Sequence, residues 1–140
     1  MTAGVDMSFS YHDAIVIDGL NVSNWDSPQV FRSLLEGGVT AMNATIATWE
    51  NFRETLDHIA GWTTRFSQHE SEIVHVRDVD CILRAKQDGL IGVILGFQNA
   101  SPIENNLDRL ALFRDMGVRI IQITYHERNL IGSGCYERDD

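Results

Sequence analysis

Polar or aromatic side chains follow each of four short apolar runs in the sequence, where they could bind a ligand or act on it. They are Asp18, Asn21, Ser23, Asn24 and Trp25; Thr48, Trp49 and Glu50; Gln98 and Asn99; and Tyr125, His126, Glu127 and Arg128. Amides donate and accept hydrogen bonds and aromatic rings form pocket walls, so the set suits a small polar ligand. His126 is the only imidazole in the set, and therefore the nearby candidate for proton transfer.

The other histidines lack the spacing of a metal site. His12 precedes the first apolar run and belongs at the opposite end of the predicted sheet. His58, His69 and His75 are separated by eleven and six positions, whereas ligand pairs on one element are commonly spaced by three or four. We interpret these three histidines as surface or capping residues.

The elements that position the candidate side chains are predicted from the apolar runs themselves, at residues 14–17, 39–47, 90–97 and 118–124. The runs lack the alternation of a one-sided sheet, which favours parallel strands that are covered on both faces. Ligand sites of parallel α/β folds lie beyond the carboxyl ends of the strands, so the side chains that follow the runs form the candidate site.

Helical patterns lie between the predicted strands. Apolar residues recur on one face of two helices, the first with Phe52, Leu56, Ile59 and Phe66 and the second with Ile103, Leu107, Leu110 and Phe113. A shorter helix is predicted to start at Ser27 and Pro28, and another to cover residues 76–88. The chain therefore alternates between strands and helices, as α/β proteins do.

Capping signals mark several helix ends. Ser101, Pro102 and Glu104 have the pattern of a capping box at the start of the last helix. Gly37, Gly89 and Gly117 each follow a helical stretch, and left-handed helix ends are predicted there.

Two architectures fit this order of elements. One is an open doubly wound sheet, and the other is part of an eight-stranded α/β barrel, of which four strands are about half. Residues 18–23 carry no glycine-rich phosphate loop, which disfavours a nucleotide-binding fold.

The composition limits the partners. The chain of 140 residues has 20 acidic and 11 basic side chains, a formal net charge of -9. It lacks the Lys/Arg clusters that nucleic acid and anionic membranes require, so neither is expected as a partner. Residues 1–6 do not have the pattern of a secretory signal, and Cys81 and Cys135 are interpreted as free thiols, so a cytoplasmic location is predicted. No linker interrupts residues 1–140, which predicts one α/β domain.

The sequence resembles the membrane (renal) dipeptidase family of zinc metallopeptidases. V-I-D-G-L-N-V-S-N-W at residues 16–25 is similar to that family's V-I-D-G-H-N-D-L-P-W, and L-E-G-G-V at residues 35–39 is similar to its R-x-G-x-V-G-x-Q. I-L-G-F-Q-N at residues 94–99 falls where the family has I-G-x-E-G, and residues 112–125 are similar to L-x-x-x-Y-x-L-G-x-R-Y-x-x-L-T-H. The resemblance implies the first four βα units of a TIM-type (β/α)8 barrel, with a parallel sheet that is incomplete on its own.

This sequence departs from the family at the zinc ligands. The His and Asp of the family's H-x-D fall on Leu20 and Val22, and its bridging Glu falls on Gln98. Leucine and valine offer no lone pair and Gln98 offers no charge, so we predict that these positions bind no metal. Zinc would be possible only with ligands from a missing second half of the barrel.

The resemblance also implies roles for the remaining candidates. Asn21, Trp25 and Tyr125 would contact substrate, with Tyr125 at the position of a substrate-contacting His of the family. Gln98, at the position of the family's bridging Glu, and His126, the candidate for proton transfer, would be the catalytic residues. Shifting the alignment by one residue would place His126 at that His position, but the unshifted alignment matches more residues. The alternation of a strand predicts that Tyr125 and His126 point to opposite sides.

The implied function is that of the N-terminal portion of a dipeptidase-like hydrolase, which cleaves an amide bond of a small dipeptide or N-acyl substrate. The isolated chain is predicted to be inactive. The alternative is a non-catalytic subunit of the same fold that carries a pocket or serves as a scaffold. The first and last strands would have unpaired apolar edges, so we expect pairing with a complementary C-terminal half or self-association.

Overall fold

The computed structural model describes residues 10–27 and 29–138. Its strands are β1 (Ile17–Asn21), β2 (Ala41–Ala47), β3 (Ile73–His75), β4 (Ile91–Phe97) and β5 (Val118–Ile121). Its helices are α1 (Gln29–Glu36), α2 (Phe52–Gln68), α3 (Val79–Asp88) and α4 (Asp108–Met116), with 3-10 turns at Tyr11–Asp13 and Ser101–Ile103. Pro28, predicted at the start of α1, and residues 1–6, examined for a secretory signal, lie outside the described residues. No described helix is long and apolar enough to cross a membrane.

The strands form one parallel sheet, which confirms the predicted α/β class. β2 and β4 lie side by side at its centre, and β1 pairs with the outer edge of β2. β3 pairs with the amino-terminal half of β4, whereas β5 pairs with the carboxyl-terminal half of the same edge. The sheet is open: among the described residues, β1 and β5 do not pair with each other.

Both faces of the central strands are buried, which explains their continuous apolar sequence. One face of the sheet, which we call the helix side, packs against α1, α2 and α4. This main core includes Phe31, Met42, Trp62, Leu95, Phe97 and Phe113. On the opposite face, which we call the inner side, a small cluster of Ala41, Val76 and Ile94 packs against half-buried Cys81 and Ile82 of α3. The helix side therefore supplies most of the core, while the inner side is more open.

The strand boundaries differ from the predicted ones. β1 begins at Ile17 rather than at residue 14, and β5 ends at Ile121 rather than at residue 124. Apolar residues at these ends, such as Ile15 and Ile123, are exposed rather than paired in the sheet. β3 was not predicted, because a strand of three residues is too short to show a period.

The predicted capping box of the last helix is wrong. Ser101 lies in a 3-10 turn instead, and α4 begins only at Asp108. Glu104 has a positive φ of 51°, and its carboxylate accepts a hydrogen bond from the backbone N–H of Phe52 at 3.1 Å and pairs with Arg109. Phe52 is the first residue of α2, so this long-range contact, together with the pairing with Arg109 of α4, competes successfully with the local cap.

Two of the three predicted left-handed helix ends are confirmed. Gly89 and Gly117 have φ values of 69° and 103°. After α1 the left-handed residue is Gly38, with a φ of 76°, rather than Gly37. The Tyr11 ring lies against Gly38 and leaves no room for a side chain there.

Candidate functional site

Four aromatic side chains meet at the carboxyl end of the sheet, and we call Trp49, Tyr125, His126 and Tyr136 the ring cluster. The ring of His126 is stacked between Tyr125 and Tyr136, with centroid distances of 3.8 and 4.4 Å. Trp49 completes the cluster at 5.4 Å from Tyr125. Trp49 follows β2 and Tyr125 follows β5, so their contact bridges the end of β4, which lies between these two strands.

Backbone contacts fix the segments that carry these rings. Tyr125 and His126 accept hydrogen bonds through their carbonyls from the N–H groups of Cys135 and Tyr136, at 3.1 and 2.9 Å. Gly134 packs so tightly on the backbone of His126 that no side chain would fit there. The loop after β5 is therefore a defined structure that sets the positions of three of the four rings.

The expectation that Tyr125 and His126 point to opposite sides is wrong. Their rings are stacked at an interplanar angle of 17°. Strand alternation does not apply to them, because β5 has ended at Ile121. The stack therefore brings both predicted side chains to one place.

Glu50 fixes the turn that presents Trp49. Its Oε2 accepts hydrogen bonds from the backbone N–H groups of Thr48 and Trp49, at 2.6 and 3.0 Å. Burial favours the neutral carboxyl, but these N–H groups stabilise the carboxylate more, and the pKa of Glu50 is lowered. Glu50 is therefore ionised at neutral pH beside the ring cluster.

Gln98 lies directly beyond β4 and is almost fully buried. Its Nε2 donates a hydrogen bond to Thr45 Oγ1 at 2.9 Å, and its backbone N–H donates to the carbonyl of Ala47 at 2.8 Å. The side-chain amide is thus held in place by β2. A neutral amide in this position can donate to or accept from a polar ligand.

The residues at the end of β1 are organised by local turn contacts. Asn21 Nδ2 donates to the Asp18 carboxylate at 2.8 Å, and Asn21 Oδ1 accepts from the backbone N–H of Ser23 at 3.0 Å. Asn21 pairs with Ala44, whose side chain lies in the helix-side core, so the adjacent Leu20 points to the inner side of the sheet. Asn21 therefore shapes the turn, and its predicted contact with substrate stays a prediction.

Trp25 is placed away from the ring cluster. It packs against the helix-side core, with its ring stacked on Phe31 at 6.2 Å and edge-on to Trp62 at 5.2 Å. Its backbone carbonyl accepts a hydrogen bond from Arg65 Nε at 3.3 Å. The structure thus brings together Tyr125 and His126, but it does not bring Trp25 to them.

Tyr136 is a member of the ring cluster that the sequence analysis missed. It lies after the last predicted strand, where no periodicity places it. The only available signal was the glycine pair around Ser133, which permits the chain to fold back towards His126.

A cavity of about 510 Å³ lies between the loops that follow β4 and β5. It is lined by Ala100, Ser101, Glu104, Arg128, Asn129, Leu130 and Ile131. Asn129 holds the two loops together, since its Nδ2 donates to Asn99 Oδ1 and to the carbonyl of Ile123, both at 2.7 Å. A volume of this size suits a small ligand.

The inner face does not fit a dinuclear zinc site. Leu20 and Val22 are exposed hydrocarbon side chains, and the amide of Gln98, whose Nε2 donates to Thr45, carries no charge. Within residues 10–27 and 29–138, no group of three or more His, Cys, Asp or Glu side chains is arranged to hold a metal ion. Without thiolate, imidazole or carboxylate donors, these residues supply no charge and offer the carbonyl oxygen of Gln98 alone, which is too little to hold zinc.

Comparison with known proteins identifies the family. A model of the membrane dipeptidase family, peptidase family M19, matches residues 6–140. No curated protein matches the chain. Among solved structures, the chain is similar to an amidohydrolase from Pseudomonas aeruginosa, with 37% identity and a TM-score of 0.89 over 92% of this chain.

Two further structures share the fold. The probable dipeptidase PvdM from Pseudomonas aeruginosa is 14% identical with a TM-score of 0.73 over 85% of this chain. The dipeptidase AC, a metallopeptidase of family M19, is 15% identical with a TM-score of 0.64 over 79% of this chain. The chain spans only 39%, 37% and 44% of the lengths of these three proteins, in the order given.

Proposed function

Because the chain belongs to the membrane dipeptidase family, peptidase family M19, we propose that it is the N-terminal portion of a hydrolase that cleaves an amide bond of a small dipeptide or N-acyl compound. Its own residues provide a neutral pocket wall rather than metal ligands. The observation that carries this proposal is the buried Gln98 amide, which is fixed to Thr45 at the carboxyl end of the sheet and lies in the part of the rim that the ring cluster spans.

The chemistry of these groups suits binding and orientation of an amide. Gln98 can pair with a peptide group, because an amide matches a peptide's donor and acceptor. The rings of Trp49 and Tyr125 offer apolar walls. His126 can exchange a proton with water or with a leaving amine, the step that general acid–base catalysis requires. Activation of the attacking water requires groups outside the described residues, so the isolated chain is expected to be inactive.

The test joins this chain to the remaining portion of the 37% identical Pseudomonas aeruginosa amidohydrolase, so that the barrel can close. A panel of dipeptides and N-acyl amino acids is assayed for hydrolysis and, by calorimetry, for binding. The expected result is hydrolysis by the chimera and none by the chain alone. A matched pair, Gln98→Met and Gln98→Asn, separates the loss of the amide from a change in volume: Gln98→Met raises KM and Gln98→Asn does so less.

The second candidate is a non-catalytic subunit that binds the same ligands without turnover. It is favoured by Leu20 and Val22, since hydrocarbon side chains stand where metal ligands would be needed. Binding by a folded chimera without hydrolysis would support this candidate. A folded chimera that neither binds nor hydrolyses any member of the panel would contradict both.

A further inference from the structure

The two amide side chains on the inner side of the sheet, Asn43 and Gln98, are anchored in the same way. Asn43 Nδ2 donates a hydrogen bond to the carbonyl of Gly19, and Gln98 Nε2 donates one to Thr45 Oγ1, both at 2.9 Å. Each amide is therefore tied to a neighbouring strand through its nitrogen. Among the described residues, no donor contacts either amide oxygen. The carbonyl oxygen is thus the unpaired end of both amides.

The two unpaired oxygens differ in access. Asn43 Oδ1 is fully buried against Gly96, so it cannot reach a ligand. Gln98 continues the alternation of Ile94 and Gly96, so its side chain points to the inner side, which the remaining strands of a barrel would enclose. Gln98 is 6% exposed, but its Oε1 is not completely enclosed. Of the two, Gln98 Oε1 is therefore the acceptor that a ligand can reach.

The orientation of the Gln98 amide is set by Thr45. In the reverse orientation, Thr45 Oγ1 would donate to Oε1, and both N–H groups of Nε2 would lack an acceptor in a nearly buried side chain. Buried N–H groups without an acceptor are rarer in proteins than carbonyl oxygens with a free lone pair. The observed orientation pairs one N–H group and leaves the carbonyl oxygen for a donor from outside. Thr45 therefore determines which end of the amide is presented.

The acceptor is fixed before a ligand arrives. The backbone N–H of Gln98 donates to the carbonyl of Ala47 at 2.8 Å, so β2 holds both the main chain and the side chain of this residue. A nearly buried acceptor without a donor costs free energy, which a ligand recovers when it supplies the donor. A neutral oxygen matches a neutral N–H group, whereas an ammonium group is bound more strongly by a carboxylate. The geometry therefore suits an amide N–H.

We propose that Gln98 Oε1 accepts a hydrogen bond from the N–H group of the substrate amide, and that Thr45 is the positioning residue that turns this oxygen towards the substrate. This inference rests on the proposed function and names its substrate class, which is secondary amides. Tertiary amides, such as N-methylated dipeptides, carry no hydrogen on the amide nitrogen and leave the acceptor unpaired. The site therefore selects against them.

The test compares two isomeric dipeptides in the chimera with the Pseudomonas aeruginosa amidohydrolase. Glycylalanine carries its extra methyl group on the α-carbon and keeps the amide N–H, whereas glycylsarcosine carries the methyl group on the amide nitrogen. Calorimetry measures the binding of each peptide, and hydrolysis assays measure KM and kcat. Glycylalanine is expected to bind about tenfold more tightly, as one hydrogen bond to a nearly buried acceptor predicts.

Variants separate the hydrogen bond from the bulk of the N-methyl group. Gln98→Met removes the acceptor and should reduce the preference to about twofold or less, whereas Gln98→Glu keeps acceptor oxygens and should retain it. Thr45→Val should reduce the preference, and Thr45→Ser, which keeps the hydroxyl, should restore it. In NMR spectra of the labelled chain, the side-chain amide protons of Gln98 should exchange faster in Thr45→Val than in Thr45→Ser. Circular dichroism shows that each variant is folded.

Three results would overturn this role of Gln98. They are equal binding of the two isomers, an undiminished preference in Gln98→Met, which would assign it to the methyl group or to another donor or acceptor, and loss of binding in Gln98→Glu, which would show that the amide nitrogen faces the ligand. A preference for glycylalanine without hydrolysis would support this inference while contradicting the proposed hydrolase. Hydrolysis of both peptides with equal KM would do the reverse, and binding of neither peptide by a folded chimera would contradict both.

Discussion

The side chain of Asn43 lies across the inner face of the sheet, and its Oδ1 covers Gly96 so closely that a methyl group there would collide with it. Asn43 Nδ2 donates a hydrogen bond to the carbonyl of Gly19 at 2.9 Å, so one residue of β2 touches both β1 and β4. Among the described residues, Asn43 Oδ1 is the buried side-chain oxygen or nitrogen without a hydrogen-bond partner.

Substituting Gly96→Ala should destabilise the chain, because the added methyl group must displace Asn43. Overpacking of this kind costs about 1–3 kcal/mol. Urea unfolding followed by circular dichroism measures the loss. Gly19→Ala is the matched control, since nothing lies within 4 Å of a Cβ at that position. Equal effects of the two substitutions would contradict the collision.

The stability of the chain should fall as the pH is lowered from about 7 to about 5, in part because of His75. Burial is the main cause that lowers the pKa of His75 below its usual value near 6.5, and the charges of Arg77 and Arg119 add to it, while a hydrogen bond with the Gly117 carbonyl opposes it. The unfolded state therefore binds the proton more readily than the folded state does. The stability that the neutral His75 ring contributes is fully present above the pKa that His75 has in the unfolded state. It is lost as the pH falls towards the pKa of His75 in the folded state.

The measurement is the pH dependence of the unfolding free energy, compared with that of His75→Gln. The variant should be less stable at pH 8, since the ring stacks on Phe66 at 4.7 Å, but its stability should fall less between pH 7 and 5. Parallel pH profiles for the two proteins would show that His75 does not contribute.

Asn51→Ala should destabilise α2 by about 0.5–2 kcal/mol, the usual cost of losing an N-cap. Asn51 Oδ1 accepts from the backbone N–H of Glu54 at 3.1 Å, and the Glu54 carboxylate accepts from the N–H of Asn51 at 2.9 Å. Thermal unfolding measures the change. Asn51→Asp retains an acceptor and should lose little, so a larger loss in Asn51→Asp than in Asn51→Ala would contradict the cap.

The inner face should gain zinc affinity when donors are introduced. The triple variant Leu20→His, Val22→Asp and Gln98→Glu supplies imidazole and carboxylate ligands at the positions aligned with the family motif. Calorimetry and metal analysis should show zinc bound by the variant and not by the unchanged chain. One equivalent of zinc bound at micromolar affinity by the unchanged chain would contradict the argument from residue types.

The open edges of the sheet should make the isolated chain self-associate. Ile17 of β1 and Ile120 of β5 are 48% and 38% exposed at these edges, and unpaired strands join readily to other chains. Light scattering after size exclusion should show species larger than a monomer. Ile17→Lys should reduce their proportion, because a charged edge residue opposes pairing. A monodisperse monomer of the unchanged chain at all concentrations would rule out self-association.

Much of the framework was predictable from the sequence, because a strand that is buried on both faces is recognisable as a short, continuous apolar run. The apolar runs around Met42 and Leu95 identified the two central strands, and the sequence alone therefore determined an alternating α/β protein with a parallel sheet. The left-handed ends at Gly89 and Gly117 were also predictable locally, because a positive φ restricts the residue type.

Contacts between distant segments were decided only by the tertiary structure. Glu104 does not form the predicted local cap, and its carboxylate instead accepts a hydrogen bond from the N–H of Phe52, 52 positions away in the chain. Tyr136 stacks on His126 after the last strand has ended. Trp25, which follows β1 like a site residue, packs into the helix-side core instead. Such choices depend on which partners the fold brings within reach, and local sequence patterns carry no information about that. The sequence by itself thus determined the sheet and the residue types at its rim, while the tertiary structure decided which of those residues form one surface.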